Sequence, residues 1–282
     1  MKIKDKYINP FTDFGFKKIF GSNFSQDILT DFLNELLKGQ EHITILKYLN
    51  NEHFGRSEEE RKAVFDLYCE NQKGEKFIIE VQRGRQRHFK DRSVYYSTFP
   101  VQEQAPKKKD WDFNLNKVYL IAMLDFVFEP GIEDEPVKHT IKLVDMDTDK
   151  VFYDKLTYIY LEMPRFKKGL GELGTRFDKW LFLLKNLPDF SNRPRELEER
   201  IFRKVFDVAE IAKLNKEDMD AYEQSLKYYR DYVNTVDYAR MEGIEKGVRK
   251  TALSMLENGY SVEEVCKITG LSQSEVEGLL EK

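Results

Sequence analysis

The sequence predicts an α/β fold, in which a mixed-sheet core flanked by helices is followed by an all-α C-terminal region. Two observations carry this. Short runs of strand length, apolar or alternating, recur over 43–49, 62–71, 76–82, 117–128, 139–145 and 157–163, with one helical stretch, 86–99, among them. Beyond about residue 170 the apolar residues recur at helical spacing instead, over 175–187, 195–213, 217–232 and 235–258, with Pro188 and Pro194 marking a break. The chain therefore divides into an α/β core over 1–170, a helical extension over 171–234 and a C-terminal module over 235–282.

Each element has a local reason. In 26–38, Ile28, Leu29, Phe32, Leu33, Leu36 and Leu37 fall on one helical face, and Gly39 ends the run. In 86–99, Phe89, Arg92, Tyr96 and Phe99 lie near one face. The stretch 117–128, rich in Val, Ile, Leu and Phe, reads as a buried strand running on into a loop. The tail holds two capping boxes, Ser261 with Glu264 and Ser272 with Glu275, and Gly259 and Gly270 stand at helix C-cap positions. Leu253, Leu256, Val262, Val265, Ile268, Leu271, Val276 and Leu279 form its apolar set. The pattern suits a helical hairpin of helix-turn-helix type. Residues 261–282 carry five glutamates against Lys267 and Lys282, and phosphates would repel such a surface. Packing or oligomerisation is the favoured reading, and the long helix at 235–258 suggests a homodimer through the C-terminal helices.

Composition limits the function classes. The chain has 282 residues, 41% of them hydrophobic, enough for a substantial core. Its two cysteines, Cys69 and Cys266, read as reduced thiols, and with four histidines they form no Cys/His zinc motif. No signal peptide and no membrane-length apolar run is apparent, so a soluble, cytoplasmic protein is expected. Net charge is −4, so any phosphate-binding surface must be local. The densest basic cluster is Arg83, Arg85, Arg87, His88, Lys90 and Arg92, opposed only by Asp91. Smaller ones are Lys107-Lys108-Lys109 and Arg165 to Lys168.

The chemistry concentrates in a hairpin. In Phe65-Asp66-Leu67-Tyr68-Cys69-Glu70, Asp66, Tyr68 and Glu70 share one strand face. In Phe77-Ile78-Ile79-Glu80-Val81-Gln82, Ile78, Glu80 and Gln82 share one. A three-residue loop, Lys73-Gly74-Glu75, would pair Asp66 with Gln82 and Tyr68 with Glu80. Gly74 would take the left-handed position, and both apolar rows would fall on the core side. Asp66, Glu80 and the Gln82 carbonyl would then converge, a hard-ligand set suited to Mg²⁺ or Mn²⁺. The same pattern also describes an ordinary amphipathic hairpin with a wet outer face.

Asp66 followed by Glu80-Val81-Gln82 resembles the PD-(D/E)XK nuclease core, and most closely its Rpn-like branch of recombination-promoting nucleases with a transposase label. Asn9-Pro10-Phe11-Thr12-Asp13-Phe14-Gly15-Phe16-Lys17-Lys18-Ile19-Phe20 resembles the N-terminal signature of that branch. Arg92, Tyr95 and Tyr96 match the helix after the acidic strand, and Gly243 and Gly247 its glycine-spaced C-terminal helix. The resemblance implies a restriction-endonuclease-like core and a metal-dependent DNA endonuclease, linked to recombination or mobile elements, with Asp66 and Glu80 as metal ligands. The broader superfamily has Lys where this chain has Gln82, and an amide cannot act as general base. Either metal-bound hydroxide suffices or a lysine from elsewhere stands in, with Lys17 the candidate, and Asp13 is either a third acidic group or a helix cap. Arg92 would bind the scissile phosphate or sit as a surface or ion-paired arginine. Arg83, Arg85 and Arg87 would track the DNA backbone. The competing reading is a catalytically inactive DNA-binding or assembly protein that keeps the fold. A pure interaction scaffold would require the arginine cluster to lie away from the hairpin.

Overall fold

A computed structural model of the chain describes residues 5–53, 63–105, 112–132 and 134–280. The Lys107-Lys108-Lys109 run and the start of the expected 62–71 strand lie outside them. Among the described residues eight strands form: β1 (Leu46–Tyr48), β2 (Glu52–His53), β3 (Ala63–Val64), β4 (Leu67–Asn71), β5 (Lys76–Gln82), β6 (Val118–Leu124), β7 (Lys138–Asp145) and β8 (Lys150–Glu162). Six make one mixed sheet in the order β1-β4-β5-β6-β8-β7, and β2 pairs with β3 in a small ladder of its own. β5, β6 and β8 run parallel, while β1/β4, β4/β5 and β7/β8 are antiparallel.

The central strand β6 explains the arrangement. All seven of its residues are apolar and buried, as a parallel strand covered on both faces requires. Helix α3 (Phe89–Glu103) forms the crossover from β5 to β6. It closes one face of the sheet over Phe65, Tyr68, Ile78, Leu120, Ala122, Leu124, Tyr158 and Tyr160. Each large apolar side chain so buried contributes about 1.5–3 kcal/mol.

Helices α1 (Asp13–Phe20), α2 (Gln26–Leu36), α4 (Arg176–Asn186) and α5 (Arg200–Ala209) pack together around Phe20, Phe32, Trp180 and Phe202. The end of α1 meets the sheet closely: a Cβ on Gly21 would lie 2.9 Å from Leu67. The expected mixed sheet with flanking helices and a helical C-terminal region is the observed architecture.

Three expectations change. The 195–213 helix is interrupted, keeping only α5 as α-helix, with short 3₁₀ turns at Arg195–Leu197 and Ile211–Lys213. The stretches 217–232 and 235–258 form one helix, α6 (Lys216–Glu257), because no Pro or Gly separates them. The 62–71 strand is broken at Phe65 and Asp66, between β3 and β4.

The chain divides at Leu226/Lys227 into two compact units. In the second, α7 (Val262–Thr269) and α8 (Gln273–Glu277) begin at the capping boxes of Ser261 and Ser272, and Gly259 and Gly270 take positive φ. Ala252, Val265 and Val276 form its core, whereas Ile268, expected in the apolar set, faces solvent.

Candidate nuclease site

The hairpin register decides where the carboxylates meet. Leu67 pairs with Ile79, Tyr68 with Ile78 and Cys69 with Phe77, so Asp66 stands opposite Glu80. The expected pairing of Asp66 with Gln82 is displaced by two residues. The cause is Asn71, whose Oδ1 accepts hydrogen bonds from the amides of Lys73 (2.9 Å) and Glu75 (3.0 Å). This side-chain turn makes Gln72-Lys73-Gly74 the loop, with Gly74 at φ 76° in the expected left-handed position. A shift of two preserves the strand faces, so the polar set survives the correction.

The wet outer face does not. Tyr68, Ile78, Glu80 and Gln82 are all buried, on the side that α3 covers. Phe65 joins that side too, packing against Tyr68, Tyr96 and Phe99, because the bend at Asp66 breaks the strand alternation.

Asp66 and Glu80 are locked crosswise. The Val81 amide donates to Asp66 Oδ2 at 2.8 Å, and the Asp66 amide donates to Glu80 Oε1 at 3.3 Å. Burial pushes the Glu80 carboxyl well above the usual glutamate range, and the Asp66 charge pushes it further. The Asp66 amide, Arg92 and Lys17 oppose this incompletely. Asp66 is also raised, first by burial and then by the Asp13 charge, against the Val81 amide, Lys17 and Arg83.

Asp13 and Lys17 reach this site from α1, where they form an ion pair at 2.9 Å. The N-cap of α1 is Thr12, whose hydroxyl accepts from the Gly15 amide at 3.0 Å, so Asp13 does not cap the helix. Thr12 Oγ1 also donates to the Asn9 carbonyl at 2.7 Å. A Cβ on Gly15 would lie 2.0 Å from that carbonyl oxygen, so the Asn9–Thr12 turn needs glycine there. The N-terminal motif is thus a folded turn that holds α1 and its Lys17 beside the hairpin.

Gln82 is spoken for at both ends. Its Oε1 accepts from Arg92 Nη2, and its Nε2 donates to the Gly84 carbonyl at 3.0 Å. Arg92 Nη1 donates to Gln86 Oε1 at 2.7 Å, and the guanidinium lies over the Phe89 and Tyr96 rings at 5.1 and 5.6 Å. Gln86 carries no motif that would have marked it in the sequence. Tyr96 is half-buried near Glu80, and Tyr95 is more exposed, its ring against Phe99.

Arg83, Arg85 and Arg87 follow Gln82 in the loop to α3. Arg83 is half-buried, while Arg85 and Arg87 are exposed with no ion pair among the described residues. The Arg165–Lys168 cluster is structural instead: Arg165 binds Glu162 and Glu135, and Lys168 binds Asp178.

A buried Glu80 whose pKa Asp66 raises, beside a partly buried Asp66 raised by burial and by Asp13, forms a donor set that a hard dication would relieve. Asp66 and Glu80 therefore fit such an ion. The family model for PD-(D/E)XK nuclease family transposases matches residues 10–239, from the Asn9–Thr12 turn into α6. No curated protein and no solved structure matches the chain.

Proposed function

We propose a function from the premise that this chain belongs to the PD-(D/E)XK nuclease family transposases, whose nucleases generally use divalent metals: it is a divalent-metal-dependent DNA endonuclease. The observation that carries the reading is the crosswise-bonded pair of the partly buried Asp66 and the buried Glu80, with Arg92 held beside it by Gln82. In this reading Asp66 and Glu80 hold Mg²⁺ or Mn²⁺. When bound, such an ion polarises the scissile phosphate and lowers the pKa of the attacking water.

The chain's own residues do the rest. Arg92 binds a non-bridging phosphate oxygen with the N–H groups that Gln82 and Gln86 leave available. Gln82 positions Arg92 and takes no proton, since an amide cannot. Lys17, whose charge acts on both carboxylates and whose ammonium Asp13 fixes through their ion pair, is the candidate to exchange a proton with the water. Arg85 and Arg87, exposed beside the site, follow the DNA backbone. Hydrolysis is the proposed reaction; strand transfer would need donor-end recognition as well.

Two copies pairing through the C-terminal helices belong to the same proposal. Support comes from α6, where Tyr238, Met241 and Ile244 are exposed. No helix among the described residues is long and apolar enough to cross a membrane.

The test is plasmid cleavage by purified protein with Mg²⁺, with Mn²⁺ and with EDTA, beside Asp66→Ala and Glu80→Ala. Metal-dependent nicking or linearisation, lost in both variants, is the expected result. DNA binding without cleavage under any metal would overturn the reading in favour of an inactive DNA-binding or assembly protein.

A further inference from the structure

The sheet face that carries Glu80 continues across the molecule to a second polar cluster on the other flank of α3. In register, Glu80 neighbours Ala122, Ala122 neighbours Tyr160, and Tyr160 neighbours His139. Where β7 begins and β8 ends, Glu135, His139 and Glu162 converge. One ligand-capable atom of each lies within 4.8 Å of the others.

The three differ in how well they are satisfied. The Glu162 side chain is fully buried; its Oε1 accepts from the Phe128 amide at 3.1 Å and its Oε2 from Arg165 Nε. Arg165 also bonds Glu135. His139 Nε2 is buried and has no hydrogen-bond partner among the described residues. It lies 3.7 Å from Glu162 Oε1, beyond hydrogen-bond reach. Buried polar atoms of this kind are rare without a water or an ion to complete them. A cavity of about 390 Å³, lined also by Lys90, Phe128, Glu129 and Tyr160, opens beside the three side chains.

We propose that Glu135, His139 and Glu162 form a second metal site, separate from the Asp66–Glu80 pair, that takes Zn²⁺. One imidazole with two carboxylates is a borderline donor set, which suits Zn²⁺ better than an ion preferring all-oxygen ligands. Two carboxylates against one guanidinium leave negative charge that a dication offsets and a water does not. Arg165 bonds both carboxylates and the Phe128 amide bonds Glu162, the part that outer partners play at metal centres. Three protein ligands leave a fourth position open to the cavity. The ion would tie the loop bearing Glu135 to β7 and β8.

The test uses the full chain carrying Asp66→Asn and Glu80→Gln, stripped with EDTA, so that the hairpin carboxylates contribute little. Zn²⁺ is titrated against a chromophoric chelator, the bound ion is examined by X-ray absorption, and thermal unfolding is followed with and without it. The expected result is one equivalent of Zn²⁺ with a single nitrogen ligand, oxygen for the rest and no sulfur, and a raised Tm. His139→Asn and Glu135→Gln, both at partly exposed residues, should each weaken binding by more than about tenfold with an unchanged circular dichroism spectrum. No binding in the double variant, sulfur coordination, or binding indifferent to His139→Asn would overturn the proposal, leaving Arg165 and its carboxylates as an ion-pair network alone.

Discussion

Glu41, in the coil before β1, and Glu80, on β5, are two carboxylates largely closed to solvent with opposite surroundings. Glu41 lies near the β4–β5 loop, where Lys73 bonds one of its oxygens at 2.6 Å and Lys117 the other. Burial alone would raise its pKa, but the two lysines overrule it and hold the carboxyl below the usual range. Glu80 lies toward the carboxyl end of β5, where parallel strands commonly present ligand sites. It faces another carboxylate, and Arg92 and Lys17 act on it only through space. The difference teaches that burial does not mark a functional carboxylate. What marks it is burial that the protein leaves uncompensated, a condition that a bound cation can relieve.

The largest expected effect comes from removing each charge in turn. Glu80→Gln keeps an oxygen for the Asp66 amide and removes the repulsion. Metal-free protein should gain about 1 kcal/mol in urea unfolding, as removing functional strain commonly does. Cleavage should fall by about 10²–10³-fold, the scale of losing one preorganised electrostatic partner. Glu41→Gln should do the reverse, losing about 1–2 kcal/mol, below the value for a fully buried pair because Lys73 and Lys117 are partly exposed, with cleavage retained.

The pH dependences should oppose each other as well. A raised carboxyl such as Glu80 binds its proton more tightly in the folded state. Its stabilising contribution is present below the unfolded pKa and is lost as pH rises through the folded one. For Glu41 the contribution is present above the unfolded pKa and is lost as pH falls through the folded one. Unfolding measured against pH in EDTA should lose the first trend in Glu80→Gln and the second in Glu41→Gln. Equal behaviour of the two variants would break the comparison.

A middle-sized effect sharpens it at Gln82. Restoring lysine there would follow the superfamily pattern, yet in this chain its ammonium would meet the Arg92 guanidinium that Gln82 now holds. Gln82→Lys should therefore lower single-turnover cleavage, by about tenfold on the scale of a like-charge contact of one pKa unit. Gln82→Ala and Arg92→Ala should be non-additive, because they remove parts of one arrangement. A gain of activity in Gln82→Lys would show that Gln82 is a defect and not a support for Arg92.

Much of this was legible in the residues. The two-residue alternation of Ile78, Glu80 and Gln82 marked their shared face, and the apolar run Val118–Leu124 marked a buried strand, though not its parallel pairing. The register was not legible from apolar rows, which tolerate a shift of two; the Asn71 side chain set it. Nor was the cover over Glu80. Helix α3 buries Ser93 and Ser97 on its sheet-facing side, where their hydroxyls bond the Phe89 carbonyl and the Tyr158 hydroxyl. Its apolar stripe is weak as a result. The Glu135–His139–Glu162 corner joins a loop to two strands, and no spacing announces it.

The smallest effect concerns the arginines beyond the carboxylate pair. Arg85 and Arg87 are exposed and unpaired among the described residues, unlike Arg92, which is held by two glutamines and two rings. If they contact only phosphates, Arg85→Ala and Arg87→Ala should each weaken DNA binding about equally for all sequences, and each should reduce the salt slope of log K by about 1. Fluorescence anisotropy with a labelled duplex at several salt concentrations, in EDTA, measures this apart from catalysis. Arg92→Ala should instead reduce cleavage more than binding, because its guanidinium is fixed at the Asp66–Glu80 pair. If all three variants gave the same modest binding loss and the same cleavage, the glutamine support of Arg92 would have no catalytic consequence, and Glu80 would stand without the positioned cation that separates it from Glu41.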